Sequence, residues 1–470
     1  MEPVTASYQL SRTIPADAPY DLVVAGGGPA GTATAVCAAR LGLKVLLAEA
    51  TGCLGGMGTS GLVASFGPVS DGERMLVGGF MRELLGRMWE QKAFAPQVTQ
   101  DYLNRQLNRW VPFQPEHLKR ILDDFTVQAG VEVRFFTRVV EADVDGHRVN
   151  GVVVSNVEGL RYVPAKAFVD ATGDAALATL AGAECKVVLR DTETVAPSTL
   201  CSLIAGMNWD DPAYAGDGLD RIKARVRSEW VPQAIEDGFF TQEDRFFPGM
   251  NRVGPQGATL NAGHVFNLNP LSVRSLSDGM VFGRQLAVEY TEFYRKYVPG
   301  CERIELMGTA PSMGVRDSRR IVGEFELGID DFLARRQFVD QVAVYNRPTD
   351  VHPSDTSRKE YERFLKDFHG KDNLGRGECV GIPYSILVPR GWENLWVAGR
   401  CHSSETKVHG SIRAQSAAYM MGQAVGTAAA QSIRTGQPAN DLDTRALVET
   451  LREAGAYLPQ KSLAREMTRA

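Results

Sequence analysis

The segment from Gly26 to Gly31, together with Glu49, has residue types and spacing that suit the binding of a dinucleotide. Glycines stand at positions 26, 28 and 31. Gly26 permits a tight turn, Gly28 lets the backbone approach a pyrophosphate, and Gly31 lets a helix pack closely on a strand. Glu49 follows the next apolar run, where a carboxylate can accept hydrogen bonds from ribose hydroxyls.

The elements around this segment are those that such a site requires. An apolar run over residues 22–25 precedes the glycines, an alanine-rich stretch with helical spacing follows them, and Val45–Ala48 leads to Glu49. This order predicts a βαβ unit of strand, glycine turn, helix and strand. The helix N-terminus then offers free N–H groups and a positive dipole end to the pyrophosphate.

The composition indicates a globular protein of about two or three domains. Of its 470 residues, 44% are hydrophobic and 23% are charged, and the net charge is −5. The acidic balance argues against nucleic-acid binding, and no apolar run is long enough to span a bilayer. The polar start lacks the hydrophobic region of a signal peptide, so we expect a cytoplasmic protein. The seven cysteines form no C-x-x-C pair, which argues against a metal or iron–sulfur site.

The pattern after the βαβ unit predicts further elements of a Rossmann-type domain. Helical spacing recurs over residues 79–92 and 115–129, and valine-rich alternation over 131–171 predicts antiparallel hairpins. A strand over 394–398 and a helix of small residues over 412–433 follow much later. We therefore expect an α/β fold with ββα and βαβ units in a parallel sheet and an antiparallel β-meander.

A long insertion separates the two parts of this domain. Residues 186–300 are aromatic-rich and lack strand–helix alternation, and the polar stretch 329–375 is expected to join the same layer. The expected division is an N-terminal arm (1–19), the first part of the Rossmann-type domain (20–185), a mixed α+β substrate or cap domain (186–305), a return segment (306–328), a cap insert (329–380), the second part of the Rossmann-type domain (381–433) and a solvent-facing helical tail (434–470).

Three further glycine segments decide between NAD and FAD. They are the Gly55-Gly56 pair beyond Glu49, the strand end over 169–174, and the strand end over 397–400 with a long helix behind it. NAD needs only the first βαβ unit. FAD is longer and needs several strand ends to hold its ribityl chain and isoalloxazine ring, so the sequence favours FAD.

On these residues the chain resembles the FAD-dependent oxidoreductase family of glutathione-reductase-type flavoproteins, which is distantly fumarate-reductase-like. The resemblance covers most of 20–185 and 305–431 and is loose over 186–300. Besides the glycine turn and Glu49, it rests on LGGMGTSG (54–61), FQPEHLKRILDD (113–124), VDATGDA (169–175), GVRDSRRIVG (314–323), IPYSILVP (382–389), NLWVAGR (394–400), HGSIRAQ (409–415) and MGQAVGTAAA (421–430).

The resemblance implies a set of FAD-binding residues. It assigns the pyrophosphate to the glycine turn, the adenosine ribose to Glu49 and the adenine to the backbone of Val139. The N-terminus of the 412–433 helix is expected to face the flavin and to stabilise its reduced anion. The implied set is Gly26, Gly28, Pro29, Ala30, Gly31, Glu49, Ala50, Gly55, Gly56, Met57, Val139, Ala171, Thr172, Gly173, Asp174, Gly399, Arg400, Ser411 and Ile412.

Two departures from the family pattern bear on the cofactor and on its reoxidation. Fumarate reductases carry a histidine soon after the glycine pair that attaches FAD covalently, whereas this chain has Met57 and then Gly-Thr-Ser-Gly. We therefore expect non-covalent FAD. A second strand–glycine–helix fingerprint for NADPH does not occur in the sequence, so the electron acceptor stays open between oxygen, a quinone and a carrier protein.

Histidines are the candidate proton acceptors. His264 lies in an apolar, asparagine-flanked stretch of the insertion, while His402 and His409 bracket the loop that the resemblance places between the flavin strand and the flavin helix. For each, a buried structural role is the alternative. The histidines expected to have no catalytic role are His117, His147, His352 and His369.

Two arginines are candidates for charge recognition. Arg316 lies in a dense charge cluster and either joins an internal ion-pair network with Asp317 and Glu324 or reaches the flavin or an anionic substrate group. Arg413 is predicted at a helix start, where a cation is unfavourable. It therefore needs a partner such as a phosphate, a carboxylate or Glu405.

These features predict an FAD-dependent dehydrogenase or oxidase that acts on a small polar organic molecule. Hydride would pass to flavin N5 while a histidine takes the proton, and Tyr384 is a further candidate to contact substrate. Two alternatives stay open, namely reduction of an activated C=C bond with Arg316 polarising a carboxylate, and flavin binding without turnover. We expect no metal and no nucleic-acid partner, and leave a homo-oligomer open.

Overall fold

The computed structural model describes residues 8–459 except 108, 217, 247–248, 369 and 371. Its strands are β1 (Tyr20–Ala25), β2 (Val45–Ala48), β3 (Ser65–Phe66), β4 (Val111–Pro112), β5 (Glu132–Arg134), β6 (Arg138–Asp145), β7 (Arg148–Asn156), β8 (Gly159–Asp170), β9 (Cys185–Val187), β10 (Ser198–Thr199), β11 (Ser202–Ala205), β12 (Gly249–Arg252), β13 (Ala258–Asn261), β14 (His264–Val265), β15 (Glu305–Thr309), β16 (Arg319–Ile321), β17 (Gln341–Tyr345), β18 (Val380–Pro383) and β19 (Leu395–Val397). Its α-helices are α1 (Pro29–Arg40), α2 (Gly79–Glu90), α3 (Gln100–Arg105), α4 (Pro115–Ala129), α5 (Ala176–Ala181), α6 (Gly218–Arg225), α7 (Val231–Glu236), α8 (Val273–Tyr297), α9 (Ile329–Leu333), α10 (Arg358–Asp367), α11 (Thr406–Ile412), α12 (Gln415–Thr435) and α13 (Thr444–Glu453). Short 3₁₀ turns cover Gly56–Gly58, Pro212–Tyr214, Tyr384–Leu387 and Ala439–Asp441, and a π turn covers Val226–Trp230.

One seven-stranded sheet organises the first part of the chain. Its order is β5-β2-β1-β8-β7-β6, and β19 also pairs with β8. β1 runs parallel to β2 and to β8, and β19 runs parallel to β8. The strands β1 and β2 are almost wholly buried and apolar, as expected where helices cover a parallel sheet. The predicted Rossmann-type fold is confirmed.

Strand β8 joins the parallel sheet to the β-meander. Its first half pairs antiparallel with β7, and its second half pairs parallel with β1 and β19. Gly146, in the turn before β7, has φ 57°, and Gly159, the first residue of β8, has φ 101°. Glycine enters this backbone region without strain. The antiparallel β-meander predicted over 131–171 is confirmed.

Helices α1 and α12 pack closely because glycines stand at their contact. A Cβ atom on Gly422 would lie 2.1 Å from the Ala30 carbonyl oxygen, and one on Gly426 would lie 2.5 Å from that of Thr34. Thr34 Oγ1 also donates to the Gly422 carbonyl at 3.1 Å. Helix α12 is buried from Gln415 to Ser432, so it forms the centre of the main core.

The predicted helix over 412–433 is corrected to two helices. Helix α11 ends at Ile412, and Ala414 is extended, with ψ 147°, before α12 begins at Gln415. Small residues continue through the break, so their spacing gave no sign of it. The backbone turns at Arg413, whose side chain is drawn to the carboxylate of Asp350 at 2.6 Å.

The insertion has its own core. Strands β12, β13, β11 and β15 form an antiparallel sheet, and α8 packs on it through buried residues such as Leu286, Tyr290 and Phe293. The stretch 329–375, expected to join this layer, divides between this layer and the main core. The apolar β17 packs on α12, so its buried residues belong to the main core, while α10 meets the insertion through Phe364 and Phe246 at 4.9 Å.

The C-terminal helix α13 is amphipathic rather than wholly solvent-facing. Leu447, Val448 and Leu451 are buried in the main core because they share one helix face. Residues 460–470 of the expected tail lie outside the described residues. Over the described part of the chain, none of the helices has the length and apolar character needed to cross a membrane.

We expect two glycine substitutions to have opposite effects on the free energy of unfolding, because only one of them lies at the close contact between α1 and α12. Gly426→Ala places a Cβ against backbone, so we expect the free energy of unfolding to fall by ~1–3 kcal/mol. Gly86→Ala in α2 meets no atom within 4 Å, and we expect a gain of ~0.5–1 kcal/mol because alanine suits a helix better. Urea unfolding measures both. Equal effects of the two substitutions would contradict the close packing.

Candidate functional site

A cavity of about 660 Å³ lies where the carboxyl ends of β1, β2, β8 and β19 meet. The Rossmann-type sheet and its helices form one side, and the insertion contributes the other through residues such as Thr199 and Met280. The predicted cofactor residues that line the cavity are Gly26, Gly28, Pro29, Ala30, Glu49, Ala50, Gly56, Met57, Val139, Ala171, Thr172, Gly173, Asp174, Gly399 and Arg400.

Two predicted cofactor residues support the cavity from behind without lining it. Gly31 lies against the glycine turn, where an added Cβ would be 1.8 Å from the Gly26 carbonyl oxygen. Gly55, at φ 97°, donates its N–H to the Gly27 carbonyl at 2.8 Å. Both glycines therefore permit close backbone packing around the turn.

Ser411 and Ile412 do not line the cavity, which corrects their predicted role. Both are buried in α11, and Ser411 Oγ donates to the Arg347 carbonyl at 2.6 Å. Because α12 begins after them, its N-terminus presents Ala414 and Gln415 to the cavity instead. Gln415 Oε1 is buried and has no hydrogen-bond partner among the described residues.

The N-terminus of α1 has the properties of a phosphate site. Gly28 precedes the helix, and no side chain caps it, so the first N–H groups stay available to a ligand. A Cβ on Gly28 would meet no atom within 4 Å, which leaves room for a group to approach the backbone. The first turn contains no acidic residue to repel an anion. This cradle fits a pyrophosphate.

Glu49 is held firmly at the next strand end. One carboxylate oxygen accepts the N–H of Gly27 at 2.5 Å, and the other accepts the backbone N–H and the hydroxyl of Thr51, each at 2.7 Å. The side chain is nearly buried but lines the cavity. Its geometry is therefore set before any ribose hydroxyl binds.

Arg400 ties three segments together at the cavity. Its Nε donates to the Gly173 carbonyl at 2.7 Å, its Nη1 donates to the Val315 carbonyl at 2.6 Å, and its Nη2 lies 2.5 Å from Asp174 Oδ1. The ends of β8 and β19 and the segment after the insertion are thus fixed relative to one another.

His402 and His409 stand behind the cavity rather than in it. His402 Nδ1 donates to the Gly399 carbonyl and His409 Nε2 donates to the Arg400 carbonyl, each at 2.7 Å. Burial lowers the pKa of His402 to about 4 and lowers the pKa of His409 well below its usual value. The expectation that one of them reaches the cavity is wrong, because both rings turn toward their own backbone loop.

His264 is the candidate histidine whose ring contacts a side chain of the cavity wall. Its Nδ1 lies 2.9 Å from Asp244 Oδ2, and its Nε2 lies 3.4 Å from Nη2 of Arg316. Arg316 lines the cavity, and its Nε donates to the Pro197 carbonyl at 2.8 Å. The fold of the insertion therefore places His264 directly behind Arg316, which separates its ring from the cavity.

The charged residues around Arg316 do not form one ion-pair network, because each contacts a different partner. Asp317 pairs with Arg320 at 3.5 Å, while Glu324 accepts the N–H of Gly391 at 2.6 Å. Arg316 joins neither, so the ion-pair reading of this segment applies to Arg320. Tyr384 is also away from the cavity, because its hydroxyl donates to the Ala439 carbonyl and accepts from Trp396 Nε1.

Sequence reasoning missed Asp350 as a residue of the cavity and gave His352 no role. Asp350 lines the cavity and lies 3.0 Å from Arg347 and 2.6 Å from Arg413. Although burial alone would raise it, Arg347, His352 and Arg413 hold the pKa of Asp350 well below its usual range. Burial and Arg316 lower the pKa of His352 to about 3. The polar composition of this stretch gave no signal, since only the fold brings it to the cavity.

The partner of Arg413 is thus a protein carboxylate. Arg413 pairs with Asp350 and not with the predicted Glu405, whose carboxylate accepts the N–H of Ile329 at 2.8 Å.

Comparison with known proteins identifies the family. The profile described as FAD dependent oxidoreductase matches residues 21–451, which is most of the chain. The chain belongs to this family. Its cofactor is FAD, and the phosphate cradle, Glu49 and the converging strand ends are the parts of the cavity that fit this cofactor.

One curated relative matches a short stretch. Dihydrolipoyl dehydrogenase of Trypanosoma brucei brucei is 53% identical over 45 residues, which are 10% of this chain and 9% of the relative. The chain therefore matches less than a tenth of that protein, and the match carries no information on the reaction.

Two solved structures match the chain at low similarity. A geranylgeranyl bacteriochlorophyll reductase-like protein from Thermoplasma acidophilum is 13% identical, with 93% of this chain and 83% of that chain covered and a TM-score of 0.44. A p-nitrophenol 4-monooxygenase from Pseudomonas putida is 11% identical, with 96% and 91% covered and a TM-score of 0.45. Likenesses of this degree do not bear on substrate or reaction.

The position of Glu49 predicts the effect of removing its carboxylate. We expect Glu49→Ala to weaken FAD binding by ~1.5–3 kcal/mol, because hydrogen bonds to a charged acceptor are lost. Fluorescence titration of the FAD-free protein with FAD measures this, and Glu158→Ala, in an exposed turn, is the control. Equal affinities would contradict the assignment.

We also expect acid precipitation to release the flavin, and flavin retained by the precipitate would refute non-covalent binding.

The buried His402 predicts a loss of stability in acid. Its pKa is about 4 when folded against a usual 6.5, so the unfolded chain binds the proton more strongly. Its contribution is complete above pH 6.5 and is lost as the pH falls toward 4, by ~1.4 kcal/mol per pH unit.

His402→Asn keeps a donor for the Gly399 carbonyl and removes the titrating ring. We expect this variant to lose less unfolding free energy than the parent between pH 7 and about 4.5, measured in urea. His147→Asn, at an exposed turn, should behave as the parent. If the His402 variant is as acid-sensitive as the parent, the inferred burial effect is wrong.

Proposed function

We propose that the protein is a dehydrogenase or oxidase that removes a hydride from a small polar organic molecule, with His264 accepting the proton. One observation supports this proposal above the others. His264, paired with Asp244, contacts Arg316 in the wall of the cavity that the FAD-binding elements also line. When bound, FAD supplies a ring that accepts hydride.

The tautomer of His264 follows from its neighbours. Arginine N–H groups only donate, so Nε2 facing Arg316 is the unprotonated nitrogen. The remaining proton then lies on Nδ1, which is 2.9 Å from the Asp244 carboxylate. If Arg316 turns from Nε2 toward a bound ligand, a ring held in this form can take up a proton at Nε2, and Asp244 stabilises the resulting cation. Asp244 is buried beside it, which strengthens that stabilisation.

The N-terminus of α12 supports the same chemistry electrostatically. No side chain caps it, and its first turn contains no acidic residue. The positive end of the helix dipole therefore faces the cavity beside Ala414 and Gln415. Negative charge that develops in the cavity is stabilised there.

Reduction of an activated C=C bond is a second candidate. It is favoured by the arginines in the cavity wall, because Arg316 could polarise a carboxylate conjugated to the double bond. Anaerobic mixing with a metabolite panel separates the two reactions. Bleaching of the oxidised flavin supports oxidation of the substrate, and reoxidation of the reduced flavin by an unsaturated compound supports reduction. If neither occurs, the protein binds flavin without turnover.

The role of His264 predicts a kinetic effect without loss of cofactor. His264→Asn keeps a donor toward Asp244 but removes the acceptor nitrogen. We expect flavin reduction by the substrate found in the panel to slow by ~10²–10⁴-fold, measured by anaerobic stopped-flow absorbance, with FAD content unchanged. His147→Asn is the control. A variant that reduces its flavin at the parental rate would refute the assignment.

A further inference from the structure

One end of the cavity is rich in arginine. Arg316, Arg347 and Arg413 line it together with a single carboxylate, Asp350. We call these four residues the arginine end. They come from three separate parts of the chain. Among the described residues, none of their hydrogen bonds or ion pairs joins them to the glycine turn or to Glu49. The arginine end is thus not needed for the phosphate or ribose contacts already described.

The arginine end has hydrogen-bond donors to spare. Arg413 donates through Nη2 to Asp350, and its Nε and Nη1 have no partner among the described residues. Arg316 uses Nε and Nη2 on Pro197, Thr199 and His264, which leaves its Nη1 without a partner within the same described set. Arg316 and Arg413 line the cavity, so these free donors are available to whatever binds there. A ligand with acceptor oxygens would satisfy them.

The arginine end also has unbalanced charge. Three cations face Asp350, and even if Asp244 behind His264 is counted against Arg316, one positive charge is left. Burial, together with the neighbouring Arg316 and Arg347, lowers the pKa of Arg413 to about 9, although Asp350 acts to raise it. Burial also lowers the pKa of Arg316. One more negative charge would relieve this repulsion.

The wall of the cavity also contains apolar side chains from the insertion and the segment after it. Leu276 and Met280 come from α8, and Met313 and Val315 come from the segment before Arg316. A ligand that filled this space would bury carbon atoms there and gain from their removal from water.

We propose that the arginine end binds the carboxylate of a small organic acid whose hydrocarbon body lies against Leu276, Met280 and Val315. Two carboxylate oxygens match the planar fork of a guanidinium, and a single anion matches the one excess positive charge. The inference rests on the proposed oxidation only in naming its substrate class. The binding itself is independent of turnover.

The experiment titrates the FAD-loaded protein with acids and neutral analogues. Probes are acetate, butyrate and hexanoate, then butyramide and hexanamide, and inorganic phosphate, with isothermal calorimetry and flavin difference spectra as readouts. We expect affinity for the acids to rise by roughly three- to fourfold per added methylene until the apolar space is filled. The amide of hexanoate should bind ~10–100-fold more weakly than the acid, and phosphate no more tightly than acetate.

Two variants locate the site. Arg413→Gln and Arg316→Gln should each weaken hexanoate binding by ~10–100-fold and leave the weak binding of hexanamide unchanged. Arg445→Gln, on an exposed position of α13, is the matched control and should bind as the parent. Flavin content and the thermal midpoint report whether each variant is folded. If a variant does not hold FAD, the comparison of acid with amide in the parent protein decides.

Equal binding of acid and amide, tightest binding of phosphate, or folded arginine variants with parental affinity for hexanoate would each overturn the proposal. Its failure is distinct from that of the proposed function. Acids that bind without any compound reducing the flavin support the arginine end and refute the oxidation. Flavin reduction by a neutral compound, with no acid bound, supports the oxidation and refutes the carboxylate site.

Discussion

The close contact between α1 and α12 is the constraint on which the rest of the structure depends. Gly422 and Gly426 let the two helix backbones meet, and the N-termini of both helices then face the same cavity. A larger residue at either glycine would separate the helices and with them the two dipole ends. The packing of these two helices therefore fixes the phosphate cradle after β1 and the electropositive start of α12 relative to each other, without any contact to a ligand.

Much of this construction could be predicted from the sequence because it is local. The βαβ unit has its signal in one continuous stretch, and the strand ends at Gly173 and Gly399 have theirs in short glycine motifs. The break before α12 could not be seen, since alanine and serine suit both sides of it. The orientation of the rings of His402 and His409 could not be predicted from the sequence either. Each is set by a carbonyl of the same loop, and spacing along the chain does not reveal which way a loop folds.

The substrate side of the cavity was the hardest to predict because it is assembled from distant segments. Asp350 belongs to a polar stretch, yet it pairs with Arg413 from a distant part of the chain as well as with Arg347, three residues before it. The stretch reaches them because β17 packs on α12, so that Arg347 follows directly at the cavity. The packing of the apolar strand β17 in the main core thus positions the charged residues that follow it at the cavity. Neither the apolar pattern of the strand nor the charged residues after it indicate this contact in the sequence.

Burial of the histidines keeps the charge of this region defined. His402, His409 and His352 have lowered pKa values, so they stay neutral at neutral pH. If they were protonated, their charge would add to that of Arg316 and Arg413 and be repelled by it. Because they are neutral, the positive charge of the arginine end is set by arginines alone. Even with its pKa lowered to about 9, Arg413 keeps its proton at neutral pH, so the demand for an anion holds there.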